Sequence, residues 1–281
     1  MKKVLTGTYE GERALFASKD VIVNNSTFQN GESPLKESRD IEVHNCVFKW
    51  KYPLWYIHNV LVTNTTWEET ARSGIWYTRN INMINCEIKA PKQFRRSSHI
   101  KLTNCNFYEA KETLWTCEEI EMQKVNAKGD YFGMNSKGIK ANNLRIDGNY
   151  AFDGASDIEI HDSVFNSKDA FWNCHNVTVC DSIIDGEYLG WNSTNLTFVN
   201  CTIYSHQGLC YIKGLKMINC KLNNSDLTFE YCEDIDAEIT SSIKSVINPI
   251  SGQIRAQKIE KLILDGRYID PSKTRIIVEE R

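Results

Sequence analysis

The chain is poor in proline, with five in 281 residues, and contains no Pro/Gly-rich polar stretch. Two unrelated domains are usually joined by such a linker, so the sequence predicts one continuous domain over residues 1–281. Lysine and arginine form no cluster, and the formal net charge is only −3. This argues against a nucleic-acid partner, which requires a concentrated basic footprint.

Long hydrophobic runs are also missing. No stretch approaches the roughly 20 apolar residues that cross a bilayer, so no membrane partner is expected. The first residues carry two lysines without an apolar run behind them, unlike a secretory signal. We therefore expect a cytoplasmic location, where the ten cysteines stay reduced.

What the sequence does contain is a repeat. Copies of one eight-residue pattern begin 19 to 21 residues apart. They start at Val21, Ile41, Val60, Ile81, Ile100, Ile120, Ile139, Ile158, Val177, Leu196, Leu215 and, in a degraded form, Ile235. Counted from the first residue as 0, the apolar positions are 0, 2 and 7, and position 5 is small. Alternation at 0 and 2 is typical of a strand with one buried face.

Position 4 is Asn in eight of the first eleven copies and Asp in two more. Both residues tolerate the left-handed backbone that a bend can require. A third apolar pair follows 12 to 15 residues from each start and is predicted to face inward. Examples are Leu54/Tyr56, Ile75/Tyr77, Ala170/Trp172, Leu189/Trp191 and Leu209/Tyr211.

Three short inward-facing strands per 19–20 residues predict an all-β fold, a single-domain right-handed parallel β-helix of about 12 rungs. Residues 21–254 form the repeating rungs. Residues 1–20 and 255–281 depart from the pattern and are predicted to be terminal rungs plus caps, which protect the exposed strand edges.

Stacked rungs place their position-4 residues above one another, which predicts an asparagine ladder. Beside it, position 5 is cysteine at Cys46, Cys86, Cys105, Cys201 and Cys220, and Ser, Thr, Val or Leu elsewhere. This pattern favours core packing. Neighbouring rungs would bring Cys86 near Cys105, and Cys201 near Cys220, although a reducing cytoplasm disfavours disulfides. Because no C-x-x-C or suitably spaced histidine occurs, no metal or cofactor is predicted, and redox or metal chemistry ranks last.

The segments that follow each copy concentrate aromatic residues, glycines and charges. If an apolar anchor such as Leu54, Leu114 or Ala170 faces inward, its neighbours face outward. The predicted ligand-binding residues are Trp55, Arg72, Trp76, Arg95, Trp115, Tyr131, Tyr150 and Tyr188. Phe152, Asp169 and Phe171 are also predicted to face outward. Exposed aromatics on successive rungs mark a binding surface, and beside polar side chains they suit a sugar.

The candidate catalytic residues are Glu112, Asp130, Lys168, Asp169 and Glu187. Glu112 and Asp130 fall on neighbouring rungs, which predicts a separation of ~5 Å. A retaining glycosidase uses ~5–5.5 Å and an inverting one a wider gap. Carboxylates this close raise one of the two pKa values. A lyase would instead use a basic side chain, for which the candidates are Arg72, Arg95, Arg96 and Lys168.

The rung pattern IxVxNCxF and the series GDYFGMNS, GNYAFDG, SKDAFWN and GEYLGWNS resemble a family of bacterial pectate-lyase-like right-handed β-helix proteins that carries a domain-of-unknown-function label. The resemblance covers nearly the whole chain and implies the same fold. The wider superfamily includes polysaccharide lyases, glycoside hydrolases and esterases. No catalytic residue is transferred, because neither a paired-Asp hydrolase pattern nor a calcium-binding lyase site is matched.

The sequence therefore favours a carbohydrate-active protein that binds or processes an oligosaccharide or similar polar ligand on its aromatic and acidic face. If it is an enzyme, we expect a hydrolase or lyase. The alternative is a non-catalytic scaffold whose face docks another protein or a second subunit of a homo-oligomer.

Overall fold

The computed structural model describes residues 2–278 and confirms the predicted fold class. The chain is an all-β, right-handed parallel β-helix with about 15 turns, slightly more than the 12 predicted. In the described residues, helix is confined to one 3-10 turn at Pro271–Lys273. No helix in this part of the chain is long and apolar enough to span a membrane.

Internal contacts divide the chain into two compact units, with the boundary between Arg145 and Ile146. The grouping of residues 1–281 into one domain stays a prediction. The two units are described separately below.

The first unit is a stack of short parallel strands. They are β1 (Lys3–Leu5), β2 (Thr8–Tyr9), β3 (Val21–Asn24), β4 (Thr27–Phe28), β5 (Arg39–His44), β6 (Val47–Phe48), β7 (His58–Thr63), β8 (Thr66–Trp67), β9 (Arg79–Ile84), β10 (Glu87–Ile88), β11 (Ser98–Phe107), β12 (Glu118–Lys128) and β13 (Lys137–Asp147), within which the boundary falls. Each strand pairs with its equivalent one turn later, so that Ile41 is level with Val60 and Phe48 with Trp67. We call the strands with repeat positions 0–2 the first side, those with position 7 the second side, and the segments that follow the third side.

The second unit repeats this arrangement. Its strands are β14 (Ser156–His161), β15 (Val164–Asn166), β16 (His175–Cys180), β17 (Ile183–Asp185), β18 (Thr194–Val199), β19 (Thr202–His206), β20 (Lys213–Asp226), β21 (Glu233–Ile247), β22 (Gly252–Ile263) and β23 (Thr274–Val278). In-register pairing again places Ile158 level with Val177 and Phe165 level with Ile184.

The bend between the first and second sides occurs at position 4, as predicted. Asn45, Asn64 and Asn85 have φ values of 52°, 49° and 54°, in the left-handed region that Asn tolerates. Their side chains are also joined from turn to turn. The Asn85 Nδ2 donates to Asn64 Oδ1 at 3.2 Å, and the Asn104 Nδ2 donates to Asn85 Oδ1 at 2.8 Å.

The core is filled by the predicted apolar positions, including the fully buried Phe48 and Trp67. The packing role of the position-5 cysteines is confirmed, because Cys46, Cys86, Cys105, Cys201 and Cys220 are at most 1% exposed. All ten cysteines are free thiols. Their thiols donate to backbone carbonyls, as the Cys86 Sγ does to Ile84 O and the Cys201 Sγ to Val199 O, each at 3.4 Å. Over residues 2–278, no group of three His, Cys, Asp or Glu side chains could hold a metal ion.

Candidate functional site

The backbone of the third side differs from the predicted strand. It runs through successive turns, and bulky residues such as Phe94 and Leu114 adopt a φ of 55°. The prediction that the residue two positions after the anchor also faces inward is therefore wrong. Tyr56 is 42% exposed and Tyr211 44%, because the left-handed turns break the alternation of a strand. In the turn of Leu54, the next buried residue lies three positions after the anchor, at Ile57.

In the first unit, the outward residues form one continuous stack. The indole rings of Trp55 and Trp76 lie 5.1 Å apart and only 6° from parallel. The Arg95 guanidinium lies 4.7 Å from the centre of Trp76 and 4.9 Å from that of Trp115, so both its faces are covered. Tyr131 follows, with its ring 6.4 Å from Trp115. The structure thus brings together most of the ligand-binding residues predicted in this unit.

The polar atoms of this stack are also engaged. The Trp55 Nε1 donates to the Ser73 carbonyl at 2.6 Å, and the Trp76 Nε1 donates to the Lys92 carbonyl at 3.0 Å. Stacking thus covers the ring faces and hydrogen bonds hold the indole N–H groups. Only the ring edges of Trp55 and Trp76 remain for a ligand, so a sugar cannot lie flat on the face between them.

Glu112 is held by two cations. Its Oε2 lies 3.1 Å from Lys92 Nζ and 3.1 Å from Arg95, the same guanidinium that the indoles cover. The Glu112 backbone N–H donates to the Asp130 carbonyl at 2.9 Å, so the two residues lie on neighbouring turns. The predicted separation of their carboxyl groups stays a prediction. Arg72 is exposed on this side, and its carbonyl accepts the Tyr52 N–H at 3.3 Å.

In the second unit, three of the predicted residues form a polar cluster. The Lys168 Nζ lies 3.2 Å from Glu187 Oε2 and 5.0 Å from the centre of the Tyr188 ring. Hydrogen bonds from Tyr188 and Lys168 lower the pKa of Glu187. The same contacts with Glu187 raise the pKa of Lys168 and of Tyr188. Glu187 is therefore held as a carboxylate and Lys168 as an ammonium.

Asp169 adjoins this cluster and behaves differently. It was predicted to face outward, but it is only 4% exposed, because residues 169–171 turn into the core together. Burial raises the pKa of Asp169, the Lys168 charge partly offsets this, and the carboxylates of Glu187 and Asp153 add to the rise. A carboxyl whose pKa is raised by burial thus adjoins one whose pKa is lowered by its hydrogen bonds.

The outward prediction is also wrong for Phe152 and Phe171, which are fully buried. In these turns the chosen anchors, Ala151 and Ala170, and the residues after them both face the core. The outward place falls to the next residue, as it does at Trp172. Tyr150 does reach this side, with its ring 5.9 Å from that of Trp172.

Trp172 and Trp191 are the functional candidates that sequence reasoning missed. Their rings lie 5.6 Å apart and 9° from parallel, and the Trp172 Nε1 donates to the Tyr188 carbonyl at 2.6 Å. A signal was available, since Tyr188 precedes Trp191 by three residues, as Tyr52 precedes Trp55. In both pairs the rings are in contact, at 5.4 Å and 4.5 Å.

Fold and site together define a parallel β-solenoid protein that displays aromatic and charged side chains on the third side of its turns. More particularly, the chain belongs to the family described as "Protein of unknown function (DUF3737)", whose model matches residues 2–277. Among curated proteins, none matches the chain.

Several solved structures are similar to this chain over most of its length. The surface adhesin PfbA of Streptococcus pneumoniae is 13% identical, with 76% of this chain and 71% of that chain covered and a TM-score of 0.34. The mannuronan C-5 epimerase AlgE4 A-module of Azotobacter vinelandii is 9% identical, with coverages of 99% and 89% and a TM-score of 0.29. The catalytic domain of a GH87 α-1,3-glucanase is 10% identical, with coverages of 99% and 62% and a TM-score of 0.27. Because these identities and TM-scores are low, the similarities do not indicate what this chain binds.

Proposed function

We propose that the protein binds and hydrolyses a carbohydrate or similarly hydroxylated ligand at the polar cluster of Lys168, Asp169, Glu187 and Tyr188. Trp172 and Trp191 adjoin the cluster, and they add apolar surface beside hydrogen-bonding groups. This combination suits a ligand with both C–H faces and hydroxyls.

The observation that carries the proposal is that two carboxyl groups on neighbouring turns have unlike surroundings, since Asp169 is only 4% exposed whereas Glu187 is partly exposed and lies 3.2 Å from the Lys168 ammonium. Burial raises the pKa of Asp169, which is the direction required of a general acid that protonates a leaving oxygen. The pKa of Glu187 is lowered, which keeps it ionised. An ionised carboxylate suits either of two roles, a base that activates water or a nucleophile that attacks the sugar itself. Environments that push the pKa values of two carboxyls apart are the usual basis of such a division of roles.

Lys168 supports hydrolysis over elimination. A lyase base must lose its proton near working pH, whereas the contact with Glu187 raises the pKa of Lys168. In the proposed reaction Lys168 keeps Glu187 ionised and in place, and Tyr188 contributes to the lowered pKa of Glu187.

The test is a screen of neutral and acidic polysaccharides against the wild type, Asp169→Asn and Glu187→Gln. New reducing ends would report hydrolysis, and ultraviolet absorbance of an unsaturated product would report elimination. We expect each variant to lose at least a hundredfold in rate, the scale of general acid–base catalysis. Asp185→Asn is the matched control, because Asp185 is exposed on the second side of the same turn.

The pH profile provides a second readout. The rate of the active enzyme should rise at low pH as Glu187 loses its proton, and fall at higher pH as Asp169 does. Reducing ends released equally by all four proteins would refute the assignment. Saccharide binding without turnover, unchanged in both variants, would place the ligand elsewhere on the chain.

A further inference from the structure

The third side of the first unit carries an excess of positive charge. Five cations face outward on this side between residues 72 and 111, next to the carboxylate of Glu112, and we call this surface the basic face. Its cations are Arg72, Lys92, Arg95, Arg96 and Lys111. Lys92 and Arg95 share Glu112. Arg72 and Arg96 are exposed, and within residues 2–278 their side chains form no ion pair.

The composition of the basic face is that of a protein interface. Trp, Tyr and Arg are enriched at the centres of protein–protein contacts and dominate their binding energy. Here the Trp55, Trp76 and Trp115 indoles fix Arg95 in a rigid stack. Because those side chains are already ordered, docking against them costs little conformational entropy.

The second side of the same unit carries the opposite charge. An open groove of about 860 Å³ lies along β8 and β10, and four of its lining residues are glutamates. We call it the acidic groove, and the residues that matter are Glu68, Glu69, Glu87, Lys89, Tyr108 and Glu109. Lys89, the one lining cation, is bound to Glu68 at 3.1 Å. Tyr108 is 58% exposed and offers an apolar ring within the groove.

We infer that the basic face of one copy of this chain docks into the acidic groove of a second copy. The charges are complementary in sign, and each surface offers exposed aromatic area beside them. The acidic groove is present at the same concentration as the basic face, because every chain carries both. Such a contact joins two different surfaces, so it repeats from copy to copy and builds a ring or an open chain of subunits.

The test uses two charge-reversal variants that each break one half of the contact. Arg72→Glu/Arg96→Glu removes the basic face, and Glu69→Lys/Glu109→Lys removes the acidic groove. Lys216→Glu, an exposed change on the first side of the second unit, is the matched control. Circular dichroism and thermal melting would establish that all variants fold. Molar mass would then be measured by light scattering at low salt.

We expect the wild type and Lys216→Glu to form species of at least twice the 32.4 kDa chain mass, and to dissociate as salt is added. Each double variant alone should be a monomer. Their mixture should regain salt-sensitive assembly, because the intact basic face of one variant meets the intact acidic groove of the other, and the two reversed surfaces are again opposite in charge. The double variants keep the Lys168–Glu187 cluster, so their hydrolysis tests the proposed function separately.

Three outcomes would overturn the inference. A monomeric wild type at low salt would exclude self-docking. Unchanged assembly in both double variants would place the interface elsewhere. A monomeric wild type that binds a sulfated glycan or single-stranded DNA, and loses this binding in Arg72→Glu/Arg96→Glu, would assign the basic face to a polyanion.

Discussion

Replacement of Asn85 tests how the turns of this protein are held at their bend. The residue has a φ of 54°, and its amide donates to Asn64 and accepts from Asn104. A left-handed backbone costs an ordinary residue about 1–2 kcal/mol, and each hydrogen bond contributes about 0.5–1.5 kcal/mol. Asn85→Ala should therefore lower the free energy of unfolding by about 2–5 kcal/mol. Asn85→Gly loses the same hydrogen bonds but relieves the backbone, so it should be about 1 kcal/mol less damaging.

Asn106 is the matched control. It lies in β11 without a left-handed φ, and its amide makes the same number of bonds, to Glu87 at 2.9 Å and from Asn126 at 2.8 Å. In a strand, glycine is the worse replacement by about 0.5–1 kcal/mol. The less destabilising replacement should therefore be Gly at position 85 and Ala at position 106. Urea unfolding monitored by circular dichroism measures this difference. If Ala were the milder change at both sites, the backbone explanation of the bend would be refuted.

Three further predictions concern single side chains. Brief treatment of the native protein with iodoacetamide should modify Cys180 first, because it alone among the ten thiols is partly exposed. The other thiols are buried, and burial raises the pKa of Cys117, for example, to about 12. Mass spectrometry would locate the label, and equal labelling of all ten thiols would contradict the packing described. Arg95→Met should lower the free energy of unfolding by about 1–2 kcal/mol and alter tryptophan emission, since it removes the cation between two indoles; an unchanged urea midpoint would show that the stack holds without it. The Ser245 hydroxyl, which donates to Asp226, lowers the pKa of that carboxyl. Its stabilisation is therefore present above the ordinary pKa of about 3.9 and is lost as pH falls below it. Asp226→Asn should lack this part of the acid dependence, and identical acid unfolding of both proteins would refute it.

The repeat made the first and second sides predictable. A strand period of 2 specifies which residues face inward, and Ile41, Val60 and Ile81 lie level as that pattern requires. Asparagine at position 4 identified the bend, because few other residues adopt a positive φ at low cost. The terminal turns were less predictable, since their sequences depart from the pattern.

The third side could be predicted only in part. Its outward residues in the first unit, such as Trp55 and Trp76, were identified correctly because a single anchor precedes each one. Positive φ at Phe94, Leu114 and Phe152 has no sequence signal, since bulky residues rarely adopt it. Because these positive φ values could not be predicted, the burial of Asp169 could not be predicted either. The sharing of Glu112 by Lys92 and Arg95 depends on side-chain positions that spacing alone does not give.

The third side separates the residues that build the turn from the residues that face outward. Inward positions such as Leu54 and Ile57 fill the core, while the side chains between them contact solvent and residues of the third side, as Trp55 does through Trp76 and the Ser73 carbonyl. A substitution at an outward position therefore leaves the buried positions of its turn unchanged. The outward residues of such a surface can be substituted one turn at a time, so that the protein acquires a new ligand or partner without a change of fold.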